Sequence, residues 1–594
     1  MSVNGLDFSI AIGGAAGQGI ATPGNILARM FGRRGLHLYA YNAYQSIIRG
    51  GHILLTLRVR DQEVLSHGDA IDLLLCLNQD TMDRHLGILG PGSRVLYNSD
   101  KVEPGEPPDG VVLCPMPVAE LAGDSKNKLI QNTISLGVMM SLMGVDFSVL
   151  EEALELLFKR KGDAVVEENV TKARGGYDHA AANFEPFSVP LPEGPKPLAM
   201  WTGNSALAMG GAAAGVKFYA AYPMSPSTGV LHWMAQHAHE LGIMVRQVED
   251  EIGVALMTIG AAHTGCRAMC ATSGGGFALM TEAIGAAAMM EIPAVFITVM
   301  RAGPSTGVPT KTEQGDLWQV LGASQGDFER FIVAPKNALD AYNTVAELFN
   351  LADRAQCPGI IISDLLISEG TYSVDPDVIE IQPEIDRGDL LLDPSPNGNY
   401  LRYADTESGI SPRVPPGIEG FVHVVATDEH DQDGVIISDE FTHPHKRRRS
   451  VEKRARKFQG VAADCPPPTL EGPEDAEVTL VGWGSTYGVI REAIEILAEQ
   501  GLVANQFAIK WIVPFHAEVV EEVLSSAKRV LIVENTHSGQ FARYLRSETG
   551  FSAHGHIRKY DGEPFAPHHV VEGVLDLLKK SEAAVHVPYQ EIIV

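Results

Sequence analysis

Runs of apolar residues with strand-like spacing alternate along most of this chain with runs spaced for one face of a helix. The first segment opens on the apolar run Phe8-Ser9-Ile10-Ala11-Ile12 and enters the turn Gly13-Gly14-Ala15-Ala16-Gly17-Gln18-Gly19. Helical spacing follows through Ile26, Leu27 and Met30. Strand, glycine turn and helix in that order predict an α/β unit. Residues 53–57 and 73–77 predict further strands. The Pro-rich stretch 184–197 suits neither a helix nor a central strand and reads as a linker. Helix and strand signals alternate again over 198–366, with glycine turns between them. Residues 370–473 are rich in Pro, Asp and Gly and hold no period until a basic helical run at 445–458, so they read as a long connection. The last segment returns to alternation, with strands at 478–481 and 530–533 and a helix at 486–500. No short repeat of the solenoid kind is present. The expected fold is α/β with several open-sheet domains: 1–190, 198–370, a connecting segment 371–473, and 474–594.

Composition narrows the function classes. Hydrophobic residues make up 45% of the 594-residue chain and charged residues 20%, as in folded globular proteins. Against 46 Lys and Arg stand 74 Asp and Glu, a net charge of −28 that argues against nucleic acid and anionic membranes as partners. The apolar stretch 283–300 carries Glu291 and Pro293, whereas a spanning helix needs about 20 largely uncharged residues; it predicts a buried helix followed by a strand. The N-terminal run MSVNGLDFSI lacks a basic region ahead of an apolar stretch, so no secretory signal is expected and the location is expected to be cytoplasmic. Six scattered cysteines fit a reducing compartment, and the close pair Cys266 and Cys270 reads as two core residues. No CxxCxxC set is present to hold an iron–sulfur cluster.

The glycine turn is not the GxGxxG dinucleotide fingerprint, and the run Leu36-His37-Leu38-Tyr39-Ala40 offers no ribose-binding acid, which disfavours a nicotinamide dehydrogenase. The turn is either a tight strand-to-helix connection or an anion site. Arg49, ahead of Gly50-Gly51, is either a two-point grip for a phosphate or carboxylate or a surface arginine at a turn. The basic run Lys446-Arg447-Arg448-Arg449, continued by Lys453, Arg454, Arg456 and Lys457, reads as a solvated or subunit-facing helix; the other reading is a contact for ligand phosphates or an acidic partner.

Five short runs stand in order inside the second segment. They are Ala221-Tyr222-Pro223-Met224-Ser225-Pro226-Ser227-Thr228, Glu249-Asp250-Glu251-Ile252-Gly253, Ala271-Thr272-Ser273-Gly274-Gly275-Gly276, Met290-Glu291-Ile292-Pro293, and Arg301-Ala302-Gly303-Pro304-Ser305-Thr306-Gly307-Val308-Pro309-Thr310. In these runs, their order and their spacing, the chain resembles the α subunit of 2-oxoacid:ferredoxin oxidoreductases, whose motifs read approximately YPITPS, E-x-G, TSGPG, tE-x-P and RxGPSTGxPT. The resemblance covers most of the chain. It implies a γ-type domain fused ahead of a thiamine pyrimidine-binding domain, and a transketolase C-terminal-like domain at the end. The run Thr427-Asp428-Glu429-His430-Asp431 also resembles a signature of the family's connecting region.

What the resemblance implies is a thiamine diphosphate enzyme that decarboxylates a 2-oxoacid oxidatively, makes an acyl-CoA and CO2, and passes electrons to ferredoxin. Glu251 matches the family's activating glutamate, the carboxylic acid that hydrogen-bonds the cofactor's aminopyrimidine ring. By composition alone it reads as a solvated helix acid beside Glu249 and Asp250. Arg301 would grip the substrate carboxylate, with Ser225 and Thr310 adding hydroxyl bonds. Tyr222, Pro223, Ser273 and Gly274 fall on the thiamine side, and Gly17 and Arg49 are candidate coenzyme A contacts. Two departures are a serine, Ser225, for the usual threonine, and Gly275 for the usual proline, which loosens that turn. The chain has no GDG sequence for Mg²⁺ and no cluster cysteines. In the family Mg²⁺ and the [4Fe-4S] cluster belong to a β subunit, so a shared site, an (αβ)2 assembly and inactivity of this chain alone are expected. The fused arrangement looks most like 2-oxoglutarate oxidoreductases. Pyruvate and branched-chain 2-oxoacids are alternative substrates, and a non-redox transketolase-like enzyme or a non-catalytic scaffold are alternative classes.

Overall fold

A computed structural model describes residues 5–45, 50–127, 129–187, 191–393, 400–437, 443–579 and 583–588. Three sheets organise them. The first has eight strands in the order Val112–Met116, Arg94–Asn98, Leu73–Cys76, Asp7–Ala16, Gly50–Arg60, His37–Ala43, Thr371–Val374 and Ala199–Thr202. Its first four strands are parallel and the rest antiparallel. The opening strand runs further than its apolar core suggests, so Gly13 and Gly14 lie within the sheet and the turn itself is short. Helices Ala21–Arg33, Ile130–Leu142 and Phe147–Phe158 cover one face through Leu27, Phe31, Ile134 and Leu150, all buried.

The second sheet has seven strands, in the order Trp511–Val513, Phe331–Val333, Gly359–Asp364, Val295–Met300, Arg267–Thr272, Val216–Ala221 and Met244–Gln247. All are parallel except the first. Every residue of Arg267–Thr272, Val295–Met300 and Gly359–Asp364 is buried, as a parallel sheet covered on both faces requires. The third sheet runs Leu470–Glu471, Ala504–Ile509, Val478–Trp483, Val530–Glu534, Gly555–Arg558 and Ala584–His586. The apolar stretch around Pro293 is helix Gly274–Met289 followed by strand Val295–Met300, and no helix among the described residues is long and apolar enough to cross a membrane.

The segments interlock more than their sequence suggests. Ala199–Thr202, at the start of the second α/β segment, and Thr371–Val374, at the start of the connection, complete the first sheet, and Trp511–Val513 from the last segment edges the second. Each is a short strand whose partner lies far away in the chain.

The long connection is not a loose tether. Arg387 and Arg413 reach back to buried Asp353, which also pairs with Arg267 at 2.9 Å. Arg402 is buried and donates to the Glu291 carbonyl at 2.7 Å. The connection ends in helix Pro444–Ala462, whose basic run the sequence predicts to be wholly solvated or to face a partner; Arg447 and Arg448 are exposed, but one face of the helix turns into the chain. Lys453 and Lys457 are buried against the carboxylate of Glu291, each at 2.8 Å. Arg454 forks onto Glu429 at 2.9 and 2.8 Å, with Arg447 on the same acid. Lys446 and Arg449 hold Asp431, and Arg456 holds Asp405. The helix is thus largely neutralised from inside the chain, much of it by the TDEHD run.

Burial alone would push the Glu291 carboxyl up, but Lys457 and Lys453 outweigh this and hold it well below the ordinary 4.5. A depressed acid contributes stability above its unfolded value, and that stability is lost as pH falls through the folded one. Glu291→Gln, which leaves two buried ammonium groups without their anion, is expected to cost about 3–5 kcal/mol near neutral pH and much less at strongly acidic pH, measured by denaturant unfolding. Unchanged stability would show that the lysines find other partners.

Candidate active site

Parallel strands present their carboxyl ends at one edge of a sheet, where ligands of open α/β sheets bind. Four neighbouring strands of the second sheet end in four of the five motif runs. Val295–Met300 leads to Arg301, Arg267–Thr272 to Ser273 and Gly274, Val216–Ala221 to Tyr222–Ser227, and Met244–Gln247 to Glu251. The fifth run, with Glu291, precedes strand Val295–Met300 and so lies at the opposite edge. Its role is the lysine clamp described above, not the chemistry.

Asp250 caps helix Glu251–His263, its carboxylate accepting from the Gly253 N–H at 2.7 Å. That cap sets the phase of the helix. Glu249 and Asp250 stay exposed, while Glu251, the first helical residue, turns inward and is only 3% exposed. The solvated-acid reading is therefore overturned. Glu251 Oε1 is buried with no hydrogen-bond partner. Burial pushes its carboxyl above the ordinary 4.5 against the pull of its own backbone N–H, and the charge of Asp250 adds to the rise. Gly276 makes the fit possible: a Cβ there would lie 2.6 Å from Glu251 Oε1 and 2.0 Å from Thr272 Oγ1, too close for any side chain.

Ser273 is fully buried and its hydroxyl is also without a partner. It precedes helix Gly274–Met289, whose first N–H groups face the same edge. Gly274 packs against Asp316, whose Oδ2 would sit 2.3 Å from a Cβ at that position. Gly275 does not loosen a loop as expected. It lies in the first helical turn, exposed, and an added Cβ would meet nothing closer than the Ser305 carbonyl at 3.8 Å.

Arg301 and Ser225 are brought together, though not through the serine hydroxyl: Arg301 Nη1 donates to the Ser225 carbonyl at 2.7 Å. Arg301 Nε is buried and unpartnered. Thr310 is buried at the base of the Arg301 loop, and residues 303–308 of that loop are exposed. Tyr222 is half-buried against the core and Pro223 is exposed. Gly17 lies in the turn after the opening strand of the first sheet, exposed at a φ of 95° with nothing within 4 Å of an added Cβ, and is not part of this group. Arg49 lies outside the described residues.

The sequence reading missed two residues. Gln314 ties the loop that follows Arg301 to the third sheet, donating to the Trp483 carbonyl at 2.8 Å and accepting from the Asn535 N–H at 3.0 Å. Asp316 is the acid packed against Gly274. Burial pushes its carboxyl up to about 6 against the pull of Arg301. Only the short helix after it, Leu317–Leu321, marks it in the sequence, and that signal reads as a cap.

A buried acid with a free oxygen, a buried free hydroxyl, a helix N-terminus and a half-free guanidinium are the donor set that a nitrogen heterocycle carrying phosphates and a 2-oxoacid would meet. The residues present fit thiamine diphosphate.

Comparison with known proteins agrees. Residues 209–450 match a family model described as pyruvate flavodoxin/ferredoxin oxidoreductase, thiamine diphosphate-binding. Residues 9–179 match pyruvate ferredoxin/flavodoxin oxidoreductase, and 476–570 match pyruvate:ferredoxin oxidoreductase core domain II. A 2-oxoacid:ferredoxin oxidoreductase α subunit of Aeropyrum pernix is 30% identical over 98% of this chain and all of its own length. The 2-oxoglutarate oxidoreductase subunit KorA of Mycobacterium tuberculosis is 30% identical over 83% of this chain and 79% of its own. The solved 2-oxoglutarate:ferredoxin oxidoreductase of Magnetococcus marinus matches with a TM-score of 0.90 at 29% identity, covering 96% of this chain and 99% of that one.

Because the Glu251 carboxyl is raised, it weakens the fold increasingly as pH climbs above the unfolded value, while below that value it is protonated in both states. Glu251→Gln is therefore expected to raise the melting temperature more at about pH 8 than at about pH 4. Equal shifts at both values would mean the carboxyl titrates normally.

Proposed function

This chain belongs to the α subunits of 2-oxoacid:ferredoxin oxidoreductases, and from that premise we propose that its substrate is 2-oxoglutarate. The reaction is oxidative decarboxylation: 2-oxoglutarate and coenzyme A give succinyl-CoA and CO2, and two electrons pass to ferredoxin. The same assembly is proposed to run in reverse where reduced ferredoxin is in excess. The solved relative from Magnetococcus marinus, described with 2-oxoglutarate, coenzyme A and succinyl-CoA bound, supports this choice, as does the relative from Mycobacterium tuberculosis. The reaction is proposed to take place in the cytoplasm.

Thiamine diphosphate, when bound, supplies the carbon centre at which a 2-oxoacid loses CO2. Glu251 carries the reading. A carboxyl buried with one oxygen free keeps its proton more readily than a solvated one and can share it with a ring nitrogen at Oε1. Ser273 and Gly274 would line the thiamine side, with Tyr222 and Pro223 bordering it. Arg301 would take the substrate carboxylate, with Ser225 and Thr310 beside it. The third sheet holds the Arg301 loop in register through Gln314. Residues 1–190 would serve as the γ-type unit, 198–370 as the pyrimidine-binding unit and 474–594 as the transketolase C-terminal-like unit. Residues 371–473 would connect the last two. Gly17 and Arg49 remain the proposed coenzyme A contacts.

The diphosphate, its Mg²⁺ and the [4Fe-4S] cluster are assigned to a β subunit in an (αβ)2 assembly. An apolar face supports this: Ile252, Leu256, Met257 and Leu279 are exposed on the two adjoining helices that begin at Glu251 and Gly274, with Leu256 at 50%. Apolar residues grouped on one face beside a site mark a surface that another chain covers.

Co-expression with the β subunit should give an assembly that reduces ferredoxin with 2-oxoglutarate and coenzyme A, and more slowly with pyruvate or branched-chain 2-oxoacids. Glu251→Gln should lower turnover at least about a hundredfold with the assembly intact. Near-normal turnover would remove Glu251 from the reaction, and a preference for pyruvate would overturn the substrate.

A further inference from the structure

In the third sheet, helix Thr486–Glu499 follows strand Val478–Trp483 and packs through Ile490 with Leu480 and Leu531. Helix Gln540–Thr549 follows strand Val530–Glu534 and packs through Leu545 with Val481 and Ile532. Successive strand residues point to opposite faces, so the two helices leave neighbouring parallel strands on opposite sides of the sheet. The crevice outside such a pair of strand ends is where open α/β sheets bind their ligands.

Here residues 312–318 of the same chain occupy it. Gln314 is fully buried, and its Nε2 donates at 2.8 Å to the carbonyl of Trp483, the last residue of one strand. With Asn535, the first residue past the other strand, it exchanges two bonds. The Asn535 N–H donates to Gln314 Oε1 at 3.0 Å, and the Gln314 N–H to the Asn535 carbonyl at 2.8 Å. One side chain thus bridges both strand ends. To one side, the Thr312 N–H donates to the Gly562 carbonyl at 2.9 Å. To the other, Gln540 donates to the Gly315 carbonyl at 2.6 Å and accepts from the Trp318 N–H at 3.0 Å. The segment leads directly back to the site. The Lys311 carbonyl accepts from the Ala302 N–H at 3.0 Å, and the Ala302 carbonyl from the Val308 N–H at 2.8 Å, which closes the loop on the residue next to Arg301.

We propose that the third-sheet unit is a receptor for residues 312–318, which fill its ligand crevice, and that Gln314 is a positioning residue that sets Arg301 for the substrate carboxylate. This rests on the reading of Arg301 as the carboxylate grip. With its own crevice taken, the unit acts on the reaction by holding the loop. The position needs a donor and an acceptor on one side chain. Methionine has the length of glutamine but neither group, and would leave the Trp483 carbonyl and the Asn535 N–H without that partner.

The test uses the assembled αβ enzyme. Amide hydrogen exchange over residues 301–318 is followed by mass spectrometry, and KM and kcat are measured for 2-oxoglutarate, in wild type, Gln314→Met, Gln540→Met and Glu291→Gln. Gln314→Met should speed exchange over 301–318 at least about tenfold and raise KM about tenfold, with kcat within about threefold. Gln540→Met, at a half-buried position, should shift both in the same direction and carries the test if Gln314→Met does not assemble. Glu291→Gln, weakened at the opposite edge of the second sheet, should leave exchange over 301–318 and KM as in wild type. Unchanged exchange in the glutamine variants would overturn the receptor. Faster exchange with a wild-type KM would overturn the positioning of Arg301, as would an equal rise of KM in Glu291→Gln. A wild-type assembly that does not turn over 2-oxoglutarate would sink the proposed function alone, because the exchange measurement needs no substrate and still decides whether the third sheet holds the segment.

Discussion

Parallel pairing is the constraint on which the site depends. Because Val295–Met300, Arg267–Thr272, Val216–Ala221 and Met244–Gln247 run the same way as neighbours, their following loops must emerge at one edge of the sheet. Residues spread from 222 to 301 in the chain are gathered there without any contact between the loops being needed to arrange it. Strand Gly359–Asp364 continues the pattern. Asp364 caps the short helix Leu365–Glu369 and binds Ser485 of the last segment, so the same edge also joins the second and third sheets.

Charge buried inside the chain secures that frame from behind. Asp353 with three arginines and Glu291 with two lysines lie among elements of the second sheet, and all of these partners except Arg267 come from the connection between 371 and 473. A buried ion pair adds little net stability over apolar packing, but breaking one is costly. Such pairs therefore fix which way a long, irregular segment wraps. They explain how a stretch without periodicity becomes part of the folded core.

The site is built on the opposite principle. Glu251, Ser273, Arg301 and Asp316 each leave a buried polar atom without a protein partner. Unsatisfied buried groups are rare because each one costs stability, and a cluster of them at a strand-end edge marks a place prepared for a ligand. Gly274 and Gly276 sharpen the point, since both bring backbone against a carboxyl at distances where a Cβ would clash. At this edge, the unmet atoms of Glu251, Ser273 and Arg301 are ones that a cofactor and a carboxylate substrate would meet.

The sequence by itself determined the alternation of strands and helices, the motif order, and the chemical types at positions 225, 251 and 301. Local backbone preference and apolar periodicity are properties of adjacent residues, and those residues are all present in a short window. Only the tertiary structure decided which of three successive acids is buried, because that depends on the phase of a capped helix against Gly276, 25 residues away. It also turned a basic helix inward onto Glu291 and Glu429, gave the first sheet two strands from beyond the linker, and packed Asp316 against Gly274. Each of these depends on partners distant in the chain, and the pattern of neighbours carries no record of what a folded chain will place across from them.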